Sequence, residues 1–155
     1  MIARVEDLED AGLARWVEGV PLPHFESTPW IEPPELRSLR LAIVTTAGLH
    51  RRDDAAFDVG EGSYRVLPGD ISAHDLLMSH ISVNFDRSGF QEDANLVFPI
   101  DHLRAMAAEG SIGSLADFHY SFMGASDPEE MAVPARQIAG MLKNDQVDAV
   151  LLTPV

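Results

Sequence analysis

The 155-residue sequence contains no cysteine. Within these residues that excludes disulfides, thiolate-bound metals, Fe–S clusters and a cysteine nucleophile, and it fits a reducing compartment. Basic residues are scarce: 11 Lys and Arg stand against 25 Asp and Glu, a formal net charge of −14. Such a surface repels phosphate backbones and anionic headgroups, so neither nucleic acid nor membrane is an expected partner. No apolar run, Ala149–Leu152 among the longest, approaches the roughly 18 residues that span a bilayer. The opening MIARVEDLED carries acids where a secretory signal carries a basic and then an apolar stretch. A cytoplasmic protein is the expectation. There is no P-loop, no G-x-G-x-x-G and no G-x-S-x-G elbow, which leaves nucleotide binding and serine hydrolysis without support. The six histidines show neither H-x-H nor H-x-x-x-H spacing, so no metal site is expected either.

What is present is a composition able to bury a core, with 46% hydrophobic and 23% charged residues. Val5, Leu8, Leu13, Trp16 and Val17 predict an amphipathic helix over Ile2–Val20, weakened by Gly12. Pro21, Pro23, Pro29, Pro33 and Pro34 follow, half of the ten prolines, and dictate an extended strap. Phe25, Trp30 and Ile31 would pin the strap to its own domain, the alternative being an arm across a neighbouring subunit. Residues 1–38 thus form a helix and strap, and 39–155 an α/β domain.

Leu39–Thr46 and Val147–Thr153 are nearly continuous in apolar and β-branched residues, the pattern of strands buried on both faces. Between them, Pro99–Glu109 and a segment starting at Asp127-Pro128 predict helices. The first presents Ile100, Leu103 and Ala107 on one face, and the second Met131, Ala135, Ile138 and Leu142. Helix followed by buried strand predicts a single α/β, Rossmann-like domain with a largely parallel sheet. Ser63–Leu67 reads as a short strand, His74–Met78 as a helical turn capped by Ser72, and His50–Gly62 as a mobile charged loop.

Two alternating segments carry polar side chains on one face. In H-I-S-V-N-F-D (His80–Asp86) a strand would align His80, Ser82, Asn84 and Asp86, either to bind a small polar ligand and shuttle a proton or as a solvated face. In F-H-Y-S-F-M-G (Phe118–Gly124), His119 and Ser121 oppose Phe118, Tyr120 and Phe122, and His119 reads as a structural residue or a proton carrier. Thr45 and Thr46 end the first buried strand, with His50 in the loop beyond, where open α/β sheets collect ligands.

Six segments in this order resemble the glycine/sarcosine/betaine/D-proline reductase selenoprotein B family. They are LAIVTTAGLH (Leu41–His50), SYRVLPGD (Ser63–Asp70), SHISVNFDRSGF (Ser79–Phe90), NLVFPIDHLRAMAAEGSIGSL (Asn95–Leu115), HYSFMG (His119–Gly124) and VDAVLLTPV (Val147–Val155). The resemblance implies reductive cleavage of a C–N bond in a small amine or amino acid. It also implies a selenocysteine, or a cysteine, just after the Leu-Leu-Thr-Pro segment, with a second cysteine close behind. The sequence stops at Thr153-Pro154-Val155, and selenocysteine is encoded by UGA, also a stop codon. The expectation is therefore an N-terminal portion of a reductase, without a cofactor of its own and inactive alone.

By placement and chemistry, His80, Asp86 and His119 are the expected acid–base residues, and Thr45, Thr46, His50 and Asn84 line the substrate pocket. A partner reductase subunit or a homo-oligomer is expected. Two other readings stand beside this one. A non-catalytic α/β small-molecule-binding or regulatory module would end naturally at Val155, whereas a metal-dependent hydrolase would need clustered histidines.

Overall fold

A computed structural model of the chain describes residues 9–20, 26, 31–82 and 86–155. The chain divides into two units, residues 1–30 and 31–155. In the first, helix α1 (Ala11–Glu18) is capped by Asp10, whose carboxylate accepts the N–H groups of Gly12 at 2.7 Å and Leu13 at 3.1 Å. Asp10 itself is extended (φ −85°, ψ 105°), so a helix running unbroken from Ile2 is corrected to one that starts at Ala11. Most of the proline-rich strap, residues 21–25 and 27–30, lies outside the described residues.

In the second unit the apolar run of β1 (Arg40–Thr45) becomes the strand on which the main sheet is built, with Ala42, Ile43 and Thr45 fully buried. One side of β1 pairs in parallel with β7 (Ala149–Thr153), from Leu41↔Ala149 to Thr45↔Thr153. Its other side pairs in parallel with two short strands in tandem. β5 (Ser114–Leu115) lies against Arg40 and Leu41, and β6 (Phe118–Ser121) against Val44 and Thr45. β6 then pairs antiparallel with β3 (Arg65–Pro68). The sheet is therefore mostly parallel, and a separate antiparallel pair joins β2 (Leu49–Arg51) to β4 (Leu76–Met78).

Helices cover the two faces of the sheet. α3 (Ile100–Ala108) buries Ile100 and Leu103 against Ile43, Leu49, Leu67, Phe98 and Ile112. Gly110, at φ +72°, ends this helix in the left-handed conformation that a side chain resists. α4 (Pro128–Asn144) sets Ile138 against Tyr120 and Phe122 on the opposite face. Its start is capped as the sequence predicts, with the Asp127 carboxylate accepting Glu129 N–H at 2.9 Å. Alternation in β6 thus sends Tyr120 to the α4 side and His119 to the α3 side, where its ring meets Phe98 edge-on at 5.6 Å.

Between β5 and β6 the chain carries two residues more than the stretch of β1 it faces, a bulge in the parallel ladder. At this point His119 Nδ1 accepts the Ile43 N–H at 3.0 Å. The bulge is fixed from outside by the Asp145 carboxylate, which accepts Asp117 N–H at 2.8 Å and pairs with the Arg40 guanidinium. Arg40 also donates to Leu115 O at 2.5 Å and to Asp117 Oδ1 at 2.9 Å.

Four further expectations are corrected. β7 is not buried on both faces: it is an edge strand, with Leu152 67% exposed and Val150 and Leu151 also exposed. Its apolar composition matches that of β1, but only one of its backbone edges has a partner. Leu76–Met78 form β4 rather than a helix; Ser72 Oγ caps only a single 3-10 turn, Ala73–Asp75, before pairing with β2 takes over. Residues 80–82 are not strand, because the carbonyls of His80 and Ser82 accept from the Arg87 guanidinium instead of a neighbouring chain. Residues 83–85, and with them Asn84, lie outside the described residues. Finally, the His50–Gly62 stretch begins inside β2 and is pinned further on, where Arg65 stacks over Phe57 at 4.2 Å and pairs with Glu61.

Burial pushes the His119 imidazole down to about 4 from its ordinary 6.5. The unfolded chain takes up the proton near 6.5 and the folded chain resists it, so stability is lost as pH falls from about 6.5 to about 4. The loss amounts to at most about 3 kcal/mol. His119→Gln keeps an acceptor for Ile43 N–H but cannot titrate. Urea unfolding is expected to show wild type losing more stability than H119Q over that range, and parallel pH profiles would refute the assignment.

Candidate functional site

Thr45 and Thr46 carry β1 out of the sheet, and their hydroxyls have different tasks. Thr45 Oγ1 donates to Val97 O at 3.0 Å, and the equivalent Thr153 Oγ1 on β7 donates to the same carbonyl at 2.9 Å. Thr45 is fully buried and so belongs to the wall of the site, away from its surface. Thr46 is the last rung shared by three chains. Its N–H donates to Thr153 O at 3.2 Å, its carbonyl accepts Gly124 N–H at 2.8 Å, and its hydroxyl accepts Val155 N–H at 2.8 Å.

Past Thr46 the chain turns at Gly48, whose φ of +66° suits glycine. A Cβ there would also stand 2.9 Å from the backbone nitrogen of His80, so the turn packs directly on the segment that follows β4. This turn delivers His50 into β2, buried, with Nδ1 at 2.8 Å from Arg51 O and Nε2 at 2.7 Å from Ser79 Oγ. A carbonyl only accepts, so Nδ1 carries a proton, and Nε2 is hydrogen-bonded to the Ser79 hydroxyl. His50 Nδ1–H is thus fixed by the Arg51 carbonyl and its ring is anchored to Ser79.

His80 follows at once. Its Nδ1 accepts Ser82 N–H at 3.2 Å. Burial holds its imidazole below the ordinary value, the Arg87 cation acts in the same direction, and a hydrogen bond to the Val155 backbone opposes both. His80 and Thr46 therefore meet the same residue, Val155, from different segments.

Of the residues expected from sequence, Thr45, Thr46, His50 and His80 gather around the carboxyl end of β1. His119 lies deeper in the sheet, bound to Ile43 N–H. Asp86 stands apart and exposed ahead of α2 (Ser88–Glu92), where its carboxylate accepts Ser88 N–H at 2.9 Å and Ser88 Oγ at 2.6 Å. Those two bonds hold it below the usual carboxylate range.

Sequence reasoning missed Ser79 and Gly124, and gave Ser121 a face but no task. Ser121 Oγ accepts Leu49 N–H at 2.7 Å, and Ser79 reaches His50 only through the β2–β4 pairing. The available signals were the alternation that put Ser121 on the polar face and the glycine three residues past the end of the strand Phe118–Ser121.

At the strand ends Val155 stands against Thr46 and the Gly124 backbone. One open cleft elsewhere is lined by Arg51, Arg52, Asp70 and Asp75. Among the described residues no three His, Asp or Glu side chains gather to hold a metal ion, and no helix is long and apolar enough to cross a membrane.

Comparison with known proteins returns a consistent set. The family model for glycine/sarcosine/betaine reductase selenoprotein B matches residues 13–155. The chain is 40% identical over 122 residues to the D-proline reductase subunit gamma of Acetoanaerobium sticklandii, covering 77% of this chain and 50% of that protein. It is 32% identical over 143 residues to the glycine reductase complex component B subunit gamma of Symbiobacterium thermophilum, covering 86% of this chain and 32% of that protein. The betaine reductase complex component B subunit beta of Peptoclostridium acidaminophilum is 31% identical over 124 residues, with 77% and 28% covered. The chain thus spans about half the length of the first relative and about a third of the other two. No solved structure matches.

The hydrogen bonds predict opposite tautomers for two buried histidines. Long-range 1H–15N spectra at neutral pH are expected to show His50 protonated at Nδ1 and His119 at Nε2. The reverse pattern in either ring would overturn its placement.

Proposed function

Because the chain belongs to the glycine/sarcosine/betaine reductase selenoprotein B family, we propose that it is the N-terminal portion of a reductase that cleaves the C–N bond of a small amine or amino acid. Glycine, sarcosine, betaine and D-proline are the substrate types named among its relatives. The observation that carries this reading is the closure of Thr46 and Gly124 on Val155, with His80 packed beside the Gly48 turn, at the carboxyl end of the paired strands β1 and β7. That is where a Rossmann-like sheet places its chemistry.

The reducing group is absent from these residues, which include no cysteine. In this reading a selenocysteine or cysteine follows Val155 and supplies the nucleophile. The chain by itself is then inactive, and works in the cytoplasm beside a partner reductase subunit or a second copy. The relatives are named as subunits of reductases or reductase complexes, which supports the partner.

The residues present would hold the reacting segment and move a proton. Reductive C–N cleavage releases an amine that needs a proton, and imidazole is the side chain whose ordinary pKa suits that transfer. His80 is better placed for it than His119, whose Nδ1 is committed to the ladder and whose ring is fully buried. Its depressed pKa reflects burial and the Arg87 cation. A selenolate or thiolate alongside would draw the value back up, since an anion favours the imidazolium. Asp86 and Asn84 are left as contributors from the segment that leads from His80 towards α2. Thr45 and His50 support the wall of the pocket.

His80→Gln in the full-length reductase is expected to lower turnover at least ~100-fold with the fold retained by circular dichroism. Turnover equal to wild type on every one of the four substrates would remove His80 from the chemistry.

A further inference from the structure

Three segments distant in sequence close on the same short stretch of chain. The β1–β7 ladder ends at Thr45↔Thr153, and the next residue is Pro154, which has no N–H to donate. Main-chain pairing therefore cannot continue in the ordinary way. Val155 N–H goes instead to the hydroxyl of Thr46 at 2.8 Å, while Thr46 N–H still holds Thr153 O at 3.2 Å. His80, arriving from the far side of β4, packs beside the turn at Gly48, close to the Val155 backbone.

Gly124 closes the third side. A Cβ at this position would stand 2.5 Å from Val155 O, 2.9 Å from Thr46 O and 3.0 Å from Thr46 Oγ1. Gly124 is not among the glycines with positive φ, so alanine would suit its backbone conformation. What the position requires is space for the chain beside it.

The holding is tight where the strand itself is loosely covered. Leu152, three residues earlier, is 67% exposed, and β7 is an edge strand. Burial of β7 therefore does not account for three contacts on residue 155. We propose that Thr46, Gly124 and His80 form a clamp on residues 153–155 that fixes the direction in which the chain leaves β7. Within it Thr46 and Gly124 act as positioning residues, and His80 also serves the proton transfer of the reductase reading. The role of the clamp rests on the reductase reading, in which the next residue carries the reacting atom and must be aimed at the substrate beside His80.

The clamp can be tested without any activity, by amide hydrogen exchange on the 155-residue chain. Thr46→Ser keeps the hydroxyl, Thr46→Val removes it at nearly constant volume, and Gly124→Ala inserts the obstructing methyl. Val155 N–H is expected to be protected in wild type and T46S. In T46V and G124A it should exchange at least ~10-fold faster, while the β1 amides of Ile43 and Val44 keep their rates. His80 ring resonances should move in the same two variants and be restored in T46S.

If G124A loses protection throughout the sheet, the T46V and T46S pair decides. Val155 exchange unchanged in T46V relative to T46S, or already at the free-peptide rate in wild type, overturns the clamp. In the full-length enzyme, T46V and G124A are expected to lower kcat with KM little changed. Protection lost on schedule with no amine reduction by any full-length chain would keep the clamp and sink the reductase reading.

Discussion

The N–H of Ile43 lies in the middle of a parallel ladder, at a bulge in the facing strand, and it goes to an imidazole nitrogen instead of a carbonyl. Most of the second unit depends on how that gap is closed. β1 pairs with β5, β6 and β7, so a defect there would reach all three together. A buried unpaired N–H costs about 1–3 kcal/mol, a large part of the stability of a domain this size. His119 removes that cost, and the Asp145 carboxylate with Arg40 holds the bulge from the other side. With the bulge fixed, β6 runs on to set Ser121 under Leu49 N–H and Gly124 beside Thr46. The geometry of the strand ends is inherited from an irregularity one layer below them.

That dependence explains what was legible in the sequence and what was not. β1, α3 and α4 were read close to their true limits because each is specified locally, by a continuous apolar run or by a proline or aspartate cap at the start. The polar and apolar faces of Phe118–Gly124 were also legible, since alternation determines them whatever the partner strand. Edge status was not: β7 and β1 have the same kind of composition, and only the arrangement of the other strands decides that β7 lies outermost. Local capping at Ser72 likewise lost to a long-range pairing, β2 with β4, that no short window contains.

The candidate site shows the same division. Thr45, Thr46, His50 and His80 were singled out from position and chemistry, and they do gather at the carboxyl end of β1. Their individual tasks could not be read off, because the threonine hydroxyls are engaged by backbone groups of remote segments and His50 Nε2 by the side chain of Ser79. Thr46 and His80 are turned towards the chain that leaves β7, and His50 towards Ser79. The cluster holds and orients the chain at the strand ends. Together with family membership, that arrangement supports the proposed reading of the chain as part of a reductase.

Sequencing the transcript past the codon for Val155 puts this reading at risk in one step. A reductase portion of this family requires coding sequence that continues through a selenocysteine UGA or a cysteine codon at the exit of β7, with another cysteine codon close behind. A UAA or UAG at that point, followed by unrelated sequence, would contradict it and leave a binding module with a clamped strand end but no nucleophile.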